Sequence, residues 1–283
     1  MARKRSTPSP KPPKPTGLAL VDGLAALPRP VLADFVTAAS EYILAAVDME
    51  PITVDGEELT AAARKKAGQI RLSNALGRVL AADLHDAWNE INPLVGETMV
   101  SGALRPSKVD VVEMTELDGL KLAVELKPVN LAVGRAIWNR FGDIRVTAVS
   151  THLKYPFAVA GGVLTVPTVE WGKTKAHADG TWKSTEHLIA RLIELLRRAG
   201  GRQREDDAPH RLEGVAVVVF DPRTGTLRSD LPKAGSGLRW EEAVEALATA
   251  YQERFLPRDA AVLAAEDDPG DLEAEEEDAI GLD

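Results

Sequence analysis

Two short apolar runs, FAVAGGVLTVP at 157–167 and GVAVVVFD at 214–221, do most to constrain what this chain can fold into. Runs of this length without a polar face read as buried strands, which other elements must cover. The sequence supplies the covers. Helical spacing runs from Pro30 to about Met49 through Val31, Phe35, Ala38, Ile43 and Ala46, with proline near the first turn. A second helical stretch extends from about Glu57 to Glu90, with candidate breaks near Ser73–Asn74 or Gly77. Further helices are predicted from about Asn130 to His152, with a candidate interruption at Gly142, over TEHLIARLIELLRR at 185–198, and from Trp240 to Phe255. The stretch at 185–198 stops at Gly200-Gly201, with arginines in its last turn where the helix dipole favours them. Strands mixed with helices predict an α/β domain of three layers, a mixed central β-sheet flanked by helices.

The ends differ from this body. Residues 1–16 are rich in proline, lysine and serine and predict a disordered basic arm, while 266–283 carry ten acids and no base and predict a disordered acidic tail. The α/β domain is expected over 17–265. Net charge is −9 for the whole chain but only −4 for residues 16–265, so the acidity belongs mostly to the tail and does not exclude a nucleic-acid partner. Cysteine is absent, which rules out disulfides, thiolate nucleophiles and cysteine-ligated zinc. No apolar run approaches the roughly 20 residues that span a bilayer, and the basic N-terminus lacks the apolar core of a secretory signal. A cytoplasmic protein is expected.

Chemistry concentrates on one hairpin. Lys108–Met114 and Leu120–Leu126 read as strands joined by a turn at Asp118-Gly119. Alternation along the second strand points Leu122, Val124 and Leu126 one way, and Glu125 and Lys127 the other, above the small Ala123. Asp110 on the first strand can share that second face. Two carboxylates about 4 Å apart would repel by roughly 4 kcal/mol at an effective dielectric near 20, so the pair calls for a cation. A hard divalent ion takes one or two carboxylates plus waters and phosphate. A neighbouring lysine can orient the attacking water or steady the transition state. The other reading of the same residues is an amphipathic strand on which Lys121, Glu125 and Lys127 are solvated surface charges.

Asp110 followed by Glu125-Leu126-Lys127, the chain's one acid-x-Lys tripeptide, and then by a helix resembles the PD-(D/E)XK nuclease superfamily over roughly residues 75–167. Many type II restriction endonucleases belong to that superfamily. Val109 stands where the motif has proline. The resemblance implies that Asp110 and Glu125 ligate Mg²⁺ (Mn²⁺ in its place), that the Leu126 carbonyl assists, and that Lys127 serves the attacking water. An additional acid is expected from the preceding helix, where Asp83, Asp86 and Glu90 lie on nearly one face and Glu90 is preferred. Arg135, Arg140, Arg145 and Lys154 are expected to meet DNA phosphates. Arg197, Arg198, Arg202 and Arg204 form a second basic cluster. The implied enzyme is a DNA endonuclease, with restriction or defence as its setting, a homodimeric arrangement and a cognate methyltransferase as partner. A repair nuclease, or a non-catalytic binding or assembly protein on the same fold, remains an alternative. The histidines (85, 152, 177, 187 and 210) show no metal spacing and read as surface or helix-end residues. No nucleophile elbow, P-loop or dinucleotide fingerprint is present.

Overall fold

The computed structural model describes residues 18–54, 56–173 and 179–255, so the predicted arm and tail, and His177, lie outside the described residues. Helices α1 (Ala19–Ala26) and α2 (Leu32–Val47) are followed by a small hairpin, β1 (Ile52–Val54) and β2 (Glu57–Leu59). The long helix α3 (Ala61–Ala87) then leads into β3 (Leu94–Ser101), β4 (Pro106–Thr115) and β5 (Gly119–Pro128). Helix α4 (Val133–His152) precedes β6 (Val159–Pro167) and a second small hairpin, β7 (Val169–Gly172) and β8 (Thr181–Ser184). Helix α5 (Glu186–Ala199), β9 (Gly214–Asp221), β10 (Thr226–Leu227) and α6 (Trp240–Phe255) complete the fold.

The two apolar runs become β6 and β9, adjacent parallel strands at the centre of a six-stranded mixed sheet ordered β10-β9-β6-β5-β4-β3. Strand β5 joins them in parallel, while β4 runs antiparallel to both β5 and β3. Helices cover both faces, as the absence of a polar face on β6 demands. On one side Leu122, Val124, Leu126 and Val163 pack with α1, α2, α3 and α6. On the other, Ala160, Leu164, Val166, Val215 and Val217 pack with α4 and α5.

Three expectations change. The segment from Glu57 does not start the helix: Glu57–Leu59 pairs with Ile52–Val54, and Thr60 caps α3 by accepting from Ala63 N–H at 3.2 Å. Neither α3 nor α4 is broken. Gly77 serves packing instead, since a Cβ there would stand 2.8 Å from Val95 Cγ1. Strand β3, with its largely exposed side chains, lacks the apolar alternation that would have marked it.

Gly162 on β6 is a second such contact, because a Cβ would meet Ile144 Cγ2 of α4 at 2.5 Å. It pairs in register with Glu125, so helix α4 rests on bare backbone beside that carboxylate. Gly162→Ala is expected to push α4 outward and lower stability by about 1–3 kcal/mol, read as a lower urea midpoint. Among the described residues no helix is long and apolar enough to cross a membrane.

Candidate active site

The hairpin of β4 and β5 presents Asp110, Glu125 and Lys127 together. Backbone pairing of the two strands ends at Val111↔Val124. At the next step the Leu126 N–H donates to Asp110 Oδ2 at 2.8 Å, so a side chain takes the place of a ladder carbonyl. Asp110 is thereby fixed against the tripeptide that carries the other two groups. Burial raises its carboxyl above the usual range, although the Leu126 hydrogen bond and the Lys127 charge oppose this.

Glu125 is only 5% exposed. One carboxylate oxygen, Oε1, is ion-paired with the Lys127 ammonium, which alternation places on the same face. The other, Oε2, is buried with no hydrogen-bond partner. Burial pushes the Glu125 carboxyl up to about 7; Lys127 pulls it down, while the charges of Asp110 and Asp143 push it further up. An orphaned buried oxygen and two carboxyls disfavoured as anions are what a cation would relieve. The donor set, all oxygen, suits Mg²⁺ or Mn²⁺. Among the described residues no three carboxylates or imidazoles gather on one metal position, so the two carboxylates would leave the remaining positions to waters or substrate.

Glu97 also borders the centre. Val95 pairs with Val111 and Thr98 with Val109, so Gly96 and Glu97 together stand opposite Asp110 alone. This is a β-bulge, with Gly96 at φ 118°, and it aims Glu97 toward the charges of Asp110 and Lys127. Lys108 holds Glu97 at 2.5 Å, and that hydrogen bond and charge keep its carboxyl below the usual range. The Gly-Glu pair between Leu94-Val95 and Met99-Val100 was the available signal, but the bulge interrupts the alternation that would have exposed it.

The acids expected from the preceding helix go elsewhere. Helix α3 ends at Ala87, and Glu90 lies in the following loop, where its charge acts on Tyr251. Asp83 accepts from Trp240 Nε1 at 2.6 Å, and Asp86 is paired with Arg29. Of the basic residues, Arg135, Arg140 and Arg145 are exposed on α4. Arg140 is paired with Asp143 at 3.0 Å, Arg145 lies over the Phe141 ring, and Lys154 donates to Ser101 Oγ at 3.0 Å.

Arg202, of the second basic cluster, does not lie at the surface. It is buried and donates to Glu213 Oε1 at 3.0 Å; Arg254 approaches the same oxygen at 2.8 Å. His152, at the end of α4 as its position in the sequence implied, is buried as well, with Nε2 3.2 Å from Glu213 Oε2. Ala160 N–H completes the set at 2.8 Å. This cluster ties α4, β6, β9 and α6 together and has no sequence spacing that announces it.

Asp110→Asn retains an oxygen for the Leu126 N–H and removes a charge that burial disfavours. Its melting temperature in EDTA at pH 8 is expected to equal or exceed that of the wild type, by differential scanning fluorimetry. A large loss would assign Asp110 a structural role.

Comparison with protein-family models, with curated proteins and with solved structures returns no match.

Proposed function

We propose that this chain is a Mg²⁺-dependent nuclease of the PD-(D/E)XK type that hydrolyses DNA phosphodiester bonds. The observation that carries this reading is the buried, unpartnered Glu125 Oε2 beside Asp110, with the Lys127 ammonium on the same face. A six-stranded mixed sheet with helices on both faces agrees with a restriction-endonuclease-like fold, and α4 follows the tripeptide strand as the resemblance requires.

Asp110 and Glu125 would hold the ion, which supplies charge neutralisation at the phosphate and a lowered pKa for coordinated water. Lys127 acts from the side. Its ammonium is held by Glu125 near the place where negative charge develops on the phosphate oxygens, and it steadies that charge without reorganising. The Leu126 N–H keeps Asp110 oriented through the reaction. Arg135, Arg140 and Arg145 on α4 offer cations to neighbouring phosphates, Arg140 after exchanging its Asp143 partner. Restriction or defence, with a homodimer acting on a symmetric site, is the setting most consistent with the resemblance.

The test incubates the chain with phage and plasmid DNA in Mg²⁺ or EDTA, beside Lys127→Ala. Discrete fragments from the wild type in Mg²⁺ alone are expected, with Lys127→Ala slower by about 10²–10³-fold. If linear, branched and single-stranded DNA all stay intact, and calorimetry finds no Mg²⁺ or Mn²⁺ binding dependent on Asp110 and Glu125, the proposal fails.

A further inference from the structure

We infer that a pocket at the carboxyl end of β5 binds a nucleobase. It lies between α2, the first turns of α3, the segment after β5 and β7, and is lined by Ile43, Lys65, Asn130, Ala132, Glu170 and Trp171. Its volume is ≈ 220 Å³, far more than the roughly 30 Å³ share of one water and less than a drug-sized site. A single ring system fits such a space.

Asn130 gives the pocket its chemistry. It is 2% exposed, and neither its amide nitrogen nor its amide oxygen has a hydrogen-bond partner. Buried amides are ordinarily satisfied by the fold. Here a donor and an acceptor are held side by side in the wall of a cavity, the pattern that meets the edge of a base in a bidentate pair. Two residues on, Ala132 is at φ 53°, and among the described residues it alone of the non-glycines has a positive φ. That strained turn starts α4 and fixes the segment on which Asn130 sits.

The aromatic wall is rigid. Trp171 meets Trp182 edge-on, with centroids 5.3 Å apart and planes at 68°, and Gly180 lies so close that a Cβ would stand 2.5 Å from the Trp171 ring. An indole held in this way offers a face for stacking, which is sequence-tolerant because every base has one. Lys65 has no ion-pair partner among the described residues and can reach a phosphate. The Glu170 carboxylate, held by Gly134 N–H at 3.4 Å, can accept from an exocyclic amine. The pocket begins three residues after Lys127, at the end of the strand that carries Glu125. The inference deepens the nuclease reading and rests on it for a strand, rather than a free nucleotide, as the source of the base.

The experiment titrates the full-length chain in EDTA with AMP, with single-stranded oligodeoxyadenylate, and with an abasic oligomer of equal length. Tryptophan fluorescence and calorimetry are the readouts. Quenching by the oligomer but not by its abasic counterpart is expected, and it is expected to vanish in Trp171→Phe if the signal is Trp171's. Asn130→Ala is expected to weaken binding about tenfold or more with no loss of melting temperature, because it removes two unsatisfied groups. If Asn130→Ala fails to fold, Trp171→Ala is expected to show the same weakening. Binding of AMP alone would retain the pocket and make a free nucleotide its ligand. Absence of binding by both AMP and the oligomer, or wild-type affinity in the folded variants, overturns the inference. Cleavage in Mg²⁺ on the same preparations keeps the two readings apart. Cleavage without base binding defeats the pocket alone, and Asn130-dependent base binding without cleavage or metal binding defeats the nuclease alone.

Discussion

At pH 8 in EDTA, Glu125→Gln is expected to melt above the wild-type chain, and in Mg²⁺ it is expected to cleave no DNA. Both results follow from the same burial. The folded chain holds the Glu125 proton until pH about 7, whereas an unfolded glutamate loses it near 4.5. Below 4.5 both states are protonated and the residue is neutral in its effect. As pH rises from there to 7, only the unfolded chain releases a proton, and folding loses up to about 3 kcal/mol. Above 7 the loss is constant. Glutamine has no proton to release, so the variant should show a smaller decline in melting temperature across this window than the wild type does. Mg²⁺ requires the carboxylate, so its affinity for the wild type should rise with pH up to about 7 and then level off, with proton release seen by calorimetry in buffers of different ionisation enthalpy. A variant that melts lower than wild type at pH 8, or that still cleaves, would remove Glu125 from the proposed role.

The second large effect has the opposite pH dependence. Burial alone would raise the Glu213 carboxyl, but the hydrogen bond and charge of His152, the Arg254 guanidinium and the Ala160 N–H outweigh it and hold the carboxyl below the usual range. Its contribution is therefore fully present above the unfolded value of about 4.5 and is lost as pH falls through the lower folded value. Glu213→Gln leaves two guanidiniums, with side chains 1% and 8% exposed, without their carboxylate. Removing one partner from a buried ionic cluster costs about 3–5 kcal/mol. Chemical unfolding at pH 7 should show this loss, and the variant should be less sensitive than wild type as pH falls below about 4.5. Together the two glutamates predict that the metal-free wild type is most stable near pH 4–5.

Much of this arrangement was legible in the sequence because strand alternation and burial leave direct marks. The faces assigned to Leu122, Val124 and Leu126, and to Glu125 and Lys127, depend only on a period of two. The buried runs at β6 and β9 could be placed for a different reason, that a short run with no polar face has to be covered on both sides. What escaped has a common cause. Strand β3 is an exposed edge with a bulge, so its side chains obey no simple period, and Glu97 went unseen with it. Glu90 was assigned to a helix that stops at Ala87. Trp88 there adopts extended backbone at φ −155° and ψ 114°, and no glycine or proline marks the stop. Glu213, His152, Arg202 and Arg254 meet from four separate segments, and Asn130 owes its character to missing partners. Contacts between distant segments, and unmet hydrogen bonds, have no sequence period at all.

Strand β5 imposes a constraint of another kind on how such a chain can vary. Its Leu122, Val124 and Leu126 face α3 and α6 while Glu125 and Lys127 face α4, so parity of position separates these core residues from the chemistry. Deleting one residue within Gly119–Pro128 would exchange the two sets, sending a carboxylate and an ammonium into the core and leucines to the reactive face. Length changes should thus be purged between Gly119 and Pro128, yet tolerated in the exposed turn at Glu116–Asp118 that precedes it. In a library of single-codon deletions, survival should fall from that turn to the strand within two or three codons.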